Sequence, residues 1–107
     1  MSRTVRICTL AELSAAGRRR WTAGDHAIAV FLIDGAVFAT ADACPHAAAS
    51  LANDGIVEDG ALECPWHGAE FELSTGRALG GPCLRPLKTY PAAVRDGEVL
   101  VTLEDEG

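Results

Sequence analysis

Short runs of β-branched and aliphatic residues alternate with turn residues along the whole chain, and the helical spacing of apolar residues is nearly absent. This pattern is typical of a mostly β protein. In the first half of the chain it predicts strands at residues 5–9, 18–22, 26–33 and 36–40. Asp34-Gly35 predicts a two-residue hairpin between the last two strands, and residues 11–17 predict one helical turn that ends at Gly17.

The second half of the chain predicts shorter strands separated by closely spaced turns. An alanine-rich stretch leads to a turn at Asn53-Asp54-Gly55, and Gly80-Gly81-Pro82 is too rigid and too rich in glycine for the interior of a strand. The predicted strands lie at 56–57, 61–63, 69–73, 87–94 and 98–103, the last two paired across Asp96-Gly97.

Length and composition indicate a single domain over residues 1–107 with an ordinary globular composition of 49% hydrophobic and 22% charged residues. A stretch of about 20 apolar residues, as a membrane span requires, is absent, so we expect no membrane partner. Residues 1–6 lack the features of a secretory signal, which favours a cytoplasmic location. The net charge of −6 argues against a nucleic-acid partner and suits a basic protein partner, although acidity also simply keeps a small protein dissolved.

Two short clusters each combine one cysteine with one histidine: Cys44-Pro45-His46 and Cys64-Pro65-Trp66-His67. The seventeen residues between them are enough for a hairpin that brings the clusters together. Mixed Cys/His pairs are the ligands of a Rieske-type [2Fe-2S] centre, in which two cysteines hold one iron and two histidines hold the other. The spacing therefore predicts one cluster, with Cys44 and Cys64 on one iron and His46 and His67 on its neighbour.

Structural zinc is the main alternative for these four residues, because zinc also takes mixed Cys/His sets. Zinc pairs usually have two to four intervening residues, whereas only one residue separates Cys44 from His46. This spacing favours iron, and a zinc-stapled interaction module without a redox role remains the rival.

The other reactive side chains have simpler interpretations. We expect His26 to be a structural histidine, and Cys8 and Cys83 to be small buried hydrophobic residues, since a disulfide is disfavoured in a reducing compartment. Arg18-Arg19-Arg20 predicts a solvated strand face, with docking of an acidic partner as the alternative.

Residues 44–67 resemble the ligand pattern of the Rieske family, and Gly68, Phe71 and Gly76 resemble its second loop and following turn. Gly80-Gly81-Pro82 resembles the proline-containing loop that covers the cluster in that family. The resemblance implies an all-β fold, with an antiparallel β-sandwich base and a small cluster-binding subdomain over about residues 42–82. Within the family, the chain is most similar to the small ferredoxins of bacterial aromatic-ring-hydroxylating dioxygenase systems.

That resemblance implies an electron carrier rather than an enzyme. It would take single electrons from an NAD(P)H-dependent flavin reductase and pass them to the terminal oxygenase, and we expect it to act as a monomer. A second alternative is the small subunit of an assimilatory nitrite reductase, which is similar in fold and length. Catalysis by the chain itself would need a mononuclear iron site in a further domain, for which the sequence offers no candidate.

Departures from the respiratory Rieske pattern carry information about the reduction potential. Ala49 and Trp66 stand where that pattern has a cysteine pair, so a disulfide between the two loops is excluded. Ala69 and Phe71 stand where it has a serine and a tyrosine that donate hydrogen bonds to cluster sulfur. Because such bonds stabilise the more negative reduced cluster, their absence predicts a potential toward the bottom of the roughly −150 to +300 mV Rieske range.

Overall fold

The computed structural model describes residues 2–23, 26–43, 50–65, 68–80 and 85–104. Strands dominate these residues, which confirms the predicted all-β class. The strands are β1 (Ser2–Thr9), β2 (Arg18–Ala23), β3 (His26–Ile33), β4 (Ala36–Ala41), β5 (Ile56–Glu58), β6 (Ala61–Cys64), β7 (Ala69–Glu72), β8 (Ala78–Gly80), β9 (Thr89–Tyr90), β10 (Ala92–Arg95) and β11 (Glu98–Glu104). Two helices accompany them, α1 (Leu10–Ala16) and α2 (Leu51–Asp54).

The strands form three sheets in which every pairing is antiparallel. We call them the outer sheet, in the order β1-β11-β10, the middle sheet, in the order β2-β3-β4-β9, and the third sheet, in the order β5-β6-β7-β8. The third sheet is built from consecutive strands of one short stretch of chain, whereas the outer sheet joins the first strand to the last.

Strand β3 explains why the middle sheet lies between the other two. Its central residues are all fully buried, so both faces of the strand are covered. Ala29 and Phe31 belong to a core shared with the third sheet, while Ile28 and Val30 belong to a core shared with the outer sheet. A strand buried on both faces has a continuous rather than an alternating hydrophobic pattern, which is what this segment shows.

Helix α1 is fixed at both ends by local sequence signals. The Thr9 side chain accepts a hydrogen bond from the Glu12 N–H, and the Glu12 carboxylate accepts one from the Thr9 N–H, which completes a capping box. That bond from the Thr9 N–H holds the pKa of the Glu12 carboxyl below its usual value. Gly17 ends the helix with φ of 81°, which confirms the predicted helical turn and its end.

Three Asp-Gly pairs make the tight hairpins. In the pairs at 34–35, 59–60 and 96–97 both residues have positive φ, as a two-residue hairpin turn with the right twist requires. The predicted turn at Asp34-Gly35 is confirmed, because Ile33 pairs directly with Ala36 across it.

The predicted single strand over 87–94 is wrong. Thr89–Tyr90 pairs with β4 in the middle sheet, whereas Ala92–Arg95 pairs with β11 in the outer sheet. Pro91 lies between them; it has no N–H to give to a ladder, and its carbonyl accepts from the Thr102 N–H. The chain therefore changes sheets at the proline.

Two other elements differ from the sequence prediction. The predicted turn at Asn53-Asp54-Gly55 is instead the end of helix α2 and its cap, with Ser50 as the N-cap residue. Residues 78–80 form strand β8, so Gly80 ends a strand that pairs with β7. Helix α2 has only four residues, which is too short for the spacing of apolar residues to reveal it.

Gly76 holds the third sheet against the returning chain. Its φ is +79°, and a Cβ there would lie 1.8 Å from the carbonyl oxygen of Leu87. The Gly76 carbonyl in turn accepts a hydrogen bond of 2.7 Å from the Leu87 N–H. Only glycine satisfies both the backbone conformation and this close approach.

Candidate metal centre

The first predicted ligand pair, Cys44 and His46, lies outside the described residues, but both ends of its loop are described. The chain leaves β4 at Ala41 and returns at the N-cap of α2. Ala43 and Ser50 form an isolated antiparallel bridge, and the Leu51 N–H donates to the Asp42 carbonyl at 2.7 Å. The loop over 43–50 is thus closed by its own backbone.

A buried carboxylate reinforces this closure. Asp42 Oδ1 accepts hydrogen bonds from the Ser50 hydroxyl and the Ala52 N–H, each at 2.9 Å. Its Oδ2 accepts from Arg20 Nε at 2.7 Å, and the Asp42 side chain is only 4% exposed. Hydrogen bonds to charged groups are among the stronger ones in proteins. Sequence reasoning missed both Asp42 and Arg20, although an aspartate placed between a strand end and Cys44 was a visible signal.

The second ligand pair starts from Cys64, the one predicted ligand that the structure describes. Cys64 is the last residue of β6, is fully buried and pairs with Ala69 of β7. The Gly68 N–H donates to the Cys64 carbonyl at 2.9 Å, and Gly68 has φ of 70°, so the backbone at Gly68 is held beside Cys64. His67 and Trp66 lie outside the described residues.

The ends of the two loops meet in the same core. Leu51 and Ala52 of α2 pack in one cluster with Cys64, directly after the first loop. A Cβ at Gly55 would lie 2.5 Å from the Leu51 carbonyl oxygen, so the glycine permits close packing where α2 runs into β5. The segment that follows the first loop is therefore held against the strand that carries Cys64.

Arg18 of the middle sheet bonds to the residue where α2 runs into β5. Its guanidinium donates to the Gly55 carbonyl at 2.5 Å and lies 5.3 Å from the centre of the Phe31 ring. Arg19 pairs with Glu12 at 3.5 Å, and Arg20 pairs with Asp42 as described above. All three arginines thus have partners within the chain.

Two buried residues of β7 lie beside Cys64. Ala69 lies directly opposite Cys64, and Phe71 lies diagonally across the same face, because it pairs with Leu62. Diagonal neighbours on one face lie within reach of an aromatic side chain. Neither Ala69 nor Phe71 carries a side-chain donor, as the sequence comparison with the respiratory pattern anticipated.

The described donor fits a cysteine-bound iron. Cys64 is a free thiol without a disulfide partner, fully buried among apolar side chains. Among the described residues no group of three or more His, Cys, Asp or Glu side chains comes together, since the other three predicted ligands lie outside them. Cys8, by contrast, packs in the other core, where burial raises the pKa of its thiol. This confirms Cys8 as a small buried residue, while Cys83 lies outside the described residues.

His26 is the first residue of β3 in the middle sheet. It is half-buried at the start of β3 and pairs in register with Ala23 at the end of β2. The structure thus gives its backbone a place in the ladder of the middle sheet, and the structural role of its side chain stays a prediction.

Carboxylates cover the outer face of the third sheet. Glu63 of β6 and Glu70 of β7 stand directly opposite each other in register, and Ile56 of β5 continues the row with 47% exposure. Glu58 and Asp59 line the same shallow surface. Like charges directly opposite each other in a sheet are destabilising, so this face is not optimised for stability.

Comparison with known proteins identifies the family. A family model of the Rieske [2Fe-2S] domain matches residues 3–91. The 3-phenylpropionate/cinnamic acid dioxygenase ferredoxin subunit of Photorhabdus laumondii is 45% identical over 101 residues, which cover 94% of each chain. The ferredoxin component of the p-cumate 2,3-dioxygenase system of Pseudomonas putida is 41% identical over 76 residues, 71% of this chain and 64% of that protein.

Solved structures agree with this relationship. A complex of reduced oxygenase and oxidised ferredoxin in carbazole 1,9a-dioxygenase contains a chain with a TM-score of 0.83 and 32% identity, covering 92% of this chain and 91% of that one. A small subunit of a nitrite reductase, itself assigned only provisionally, has a TM-score of 0.77 and 27% identity, covering 92% of this chain and 97% of that one.

The chain therefore belongs to the Rieske [2Fe-2S] family. It is a ferredoxin that carries one [2Fe-2S] cluster and transfers electrons, and it is not itself an enzyme. The family assignment removes the zinc alternative, and the relatives favour the ferredoxin over the nitrite reductase subunit. In the described part of the chain, neither helix is long and apolar enough to cross a membrane.

Proposed function

We propose that this chain carries electrons to the terminal oxygenase of an aromatic-ring dioxygenase system. Its relatives named as dioxygenase ferredoxins, 45% identical over 94% of the chain in one case, are the observation that supports this proposal most strongly. The electron donor would be an NAD(P)H-dependent flavin reductase, with the chain acting as a monomer in the cytoplasm.

The proposed ligands are Cys44 and Cys64 on one iron and His46 and His67 on the other. The cluster supplies a centre that accepts and releases one electron at a time. The cysteines would bind as thiolates and the histidines through neutral rings, since a coordinating atom must be deprotonated. Cys64 is fully buried, which would keep water from the iron that the two cysteines bind. This supports the assignment of the cysteines to one iron and the histidines to the other.

The surroundings of Cys64 support a low reduction potential. Because Ala69 and Phe71 have no hydroxyl to offer, the reduced cluster loses stabilisation that respiratory Rieske proteins have. A low potential suits delivery of electrons from a flavoprotein to an oxygenase, whereas oxidation of a quinol needs a high one.

Reconstitution tests the proposal. The purified holoprotein is combined with the flavin reductase and the terminal oxygenase of a 3-phenylpropionate or p-cumate dioxygenase system, and oxidised aromatic product is measured. We expect product formation to require this chain and to increase with its concentration, while a Cys64→Ser variant supports none. Reduction of the chain without any transfer to the oxygenases, together with transfer to a sirohaem nitrite reductase, would decide for the alternative.

A further inference from the structure

Asp42 is the one charged residue that is buried among the described residues, at 3% exposure. A buried charge is costly unless it is paired and hydrogen-bonded, so its partners are informative. Among the described residues, the side chain is bonded to the Ser50 hydroxyl, the Ala52 N–H and Arg20 Nε.

The Asp42 side chain therefore connects the residue before the loop of the first predicted ligand pair with residues at and after its end and with β2. Ser50 ends the loop and Ala52 follows it, whereas Asp42 precedes it and Arg20 reaches in from β2. The backbone of Asp42 adds two further bonds, since its N–H donates to the Ala27 carbonyl at 2.9 Å and its carbonyl accepts from the Leu51 N–H at 2.7 Å. One residue thus ties the start of the loop, its end and the middle sheet together.

We propose that Asp42 is a positioning residue for the [2Fe-2S] centre, joining the two ends of the loop over 43–50 so that Cys44 and His46 are held for the irons. The inference rests on the proposed assignment of Cys44 and His46 as ligands. In this arrangement Asp42 acts through Ser50, Ala52 and Arg20 and not as an iron ligand. Residues that orient metal ligands without contacting the metal strongly affect the affinity for it.

A purely structural role is the rival explanation, and the chain offers a matched control for it. Glu12 also accepts a hydrogen bond from a backbone N–H, at Thr9, and also pairs with an arginine, Arg19. It lies in α1, which packs in the other core, away from Cys64. An Asp42→Asn variant and a Glu12→Gln variant therefore remove the same kind of charge, one at the loop and one far from it.

The test compares the rate at which iron is lost to a chelator, followed by visible absorption, at a temperature where far-UV circular dichroism is native for every variant. We expect Asp42→Asn to lose its cluster roughly tenfold to a hundredfold faster than wild type, and Glu12→Gln to lose it at the wild-type rate. The reduced Asp42→Asn protein should also give a broadened electron-paramagnetic spectrum, which a change in global stability alone would not produce.

Equal rates of cluster loss and identical spectra in Asp42→Asn and Glu12→Gln would overturn the positioning role. Should Asp42→Asn fail to fold, Ser50→Ala, which removes one of the side-chain partners that the structure describes, is measured in its place and is expected to accelerate cluster loss several-fold relative to Glu12→Gln. Wild-type protein without a [2Fe-2S] cluster would instead overturn the proposed function, so the two failures are distinguishable.

Discussion

The outer and middle sheets differ from the third sheet in how their strands are held. Strands β1 and β3 have eight residues each and β11 has seven, whereas no described strand of the third sheet exceeds four. The long ladders join the two ends of the chain and enclose a core of their own. The third sheet has shorter ladders, packs on the middle sheet through the other core and has close backbone approaches at Gly55 and Gly76.

This difference separates stability from function. The longest ladders lie in the outer and middle sheets, while the short strands of the third sheet carry Cys64 and the acidic outer face. We expect the third sheet to depend on the metal for part of its stability, because metal binding and folding of the surrounding segments are coupled.

Removal of iron should reveal the difference between the third sheet and the other two most clearly. In the apoprotein we expect backbone amides of β6 and β7 to exchange with solvent roughly a hundredfold or more faster, since their protection reports a local opening free energy. Amides of β3 and β11 should keep most of their protection. Hydrogen exchange measured by mass spectrometry or NMR checks this, and equal loss in all three sheets would contradict the division.

Two glycines with positive φ compare the third sheet with the outer sheet by substitution. Gly76→Ala should destabilise the protein by about 3 kcal/mol or more, because the new Cβ meets the Leu87 carbonyl in addition to the unfavourable φ. Gly97→Ala, in the outer-sheet hairpin, should cost only about 1 kcal/mol, since nothing lies within 4 Å of the added atom. Denaturant unfolding of both variants measures the difference; similar losses would show that the close approach is unimportant.

Phe71→Tyr tests the surroundings of Cys64. The new hydroxyl would lie on the same face as the cysteine, so we expect the midpoint potential to rise on the order of 50 mV, which corresponds to about 1 kcal/mol in a one-electron couple. Phe38→Tyr serves as the control, because Phe38 packs on the same core from β4 near the Asp34-Gly35 hairpin. Redox titration followed by visible absorption would contradict the argument if both variants shifted the potential equally.

The acidic face should give the smallest effect. Replacing Glu63 by Gln removes a like-charge pair with Glu70, so we expect a gain of about 0.2–1 kcal/mol at low salt that shrinks as salt is added. Thermal unfolding at two salt concentrations measures it. The prediction is wrong if Glu63→Gln destabilises the protein or if the change in stability does not depend on salt.

The sequence predicts most strands of all three sheets, and it fails where the chain passes from one sheet to another. Residues 26–33 are assigned as a strand with the correct ends, because both the continuous apolar run and the adjacent Asp-Gly turn are local signals. The strand over 87–94 is assigned wrongly, since local pattern cannot show that Pro91 passes the chain from one sheet to another.

The candidate site shows the same limit. Cysteine and histidine spacing predicts the family, because the ligand pairs are short local motifs. The Asp42 contacts with Arg20 and Ser50 join segments that are distant in the sequence, so no local pattern indicates them. Likewise, the requirement for glycine at position 76 becomes visible only when Leu87 is placed against it. The predicted boundaries of the cluster-binding subdomain, 42–82, stay a prediction.

The most direct test of the account is the electron-paramagnetic spectrum of the anaerobically reduced holoprotein. A centre with two cysteine and two histidine ligands should give a rhombic signal whose average g value lies below that of the free electron, with two irons per chain, and a His46→Ala variant should lack it. A reduced protein without this signal, or a His46→Ala variant with an unchanged visible and paramagnetic spectrum, would contradict the mixed-ligand cluster.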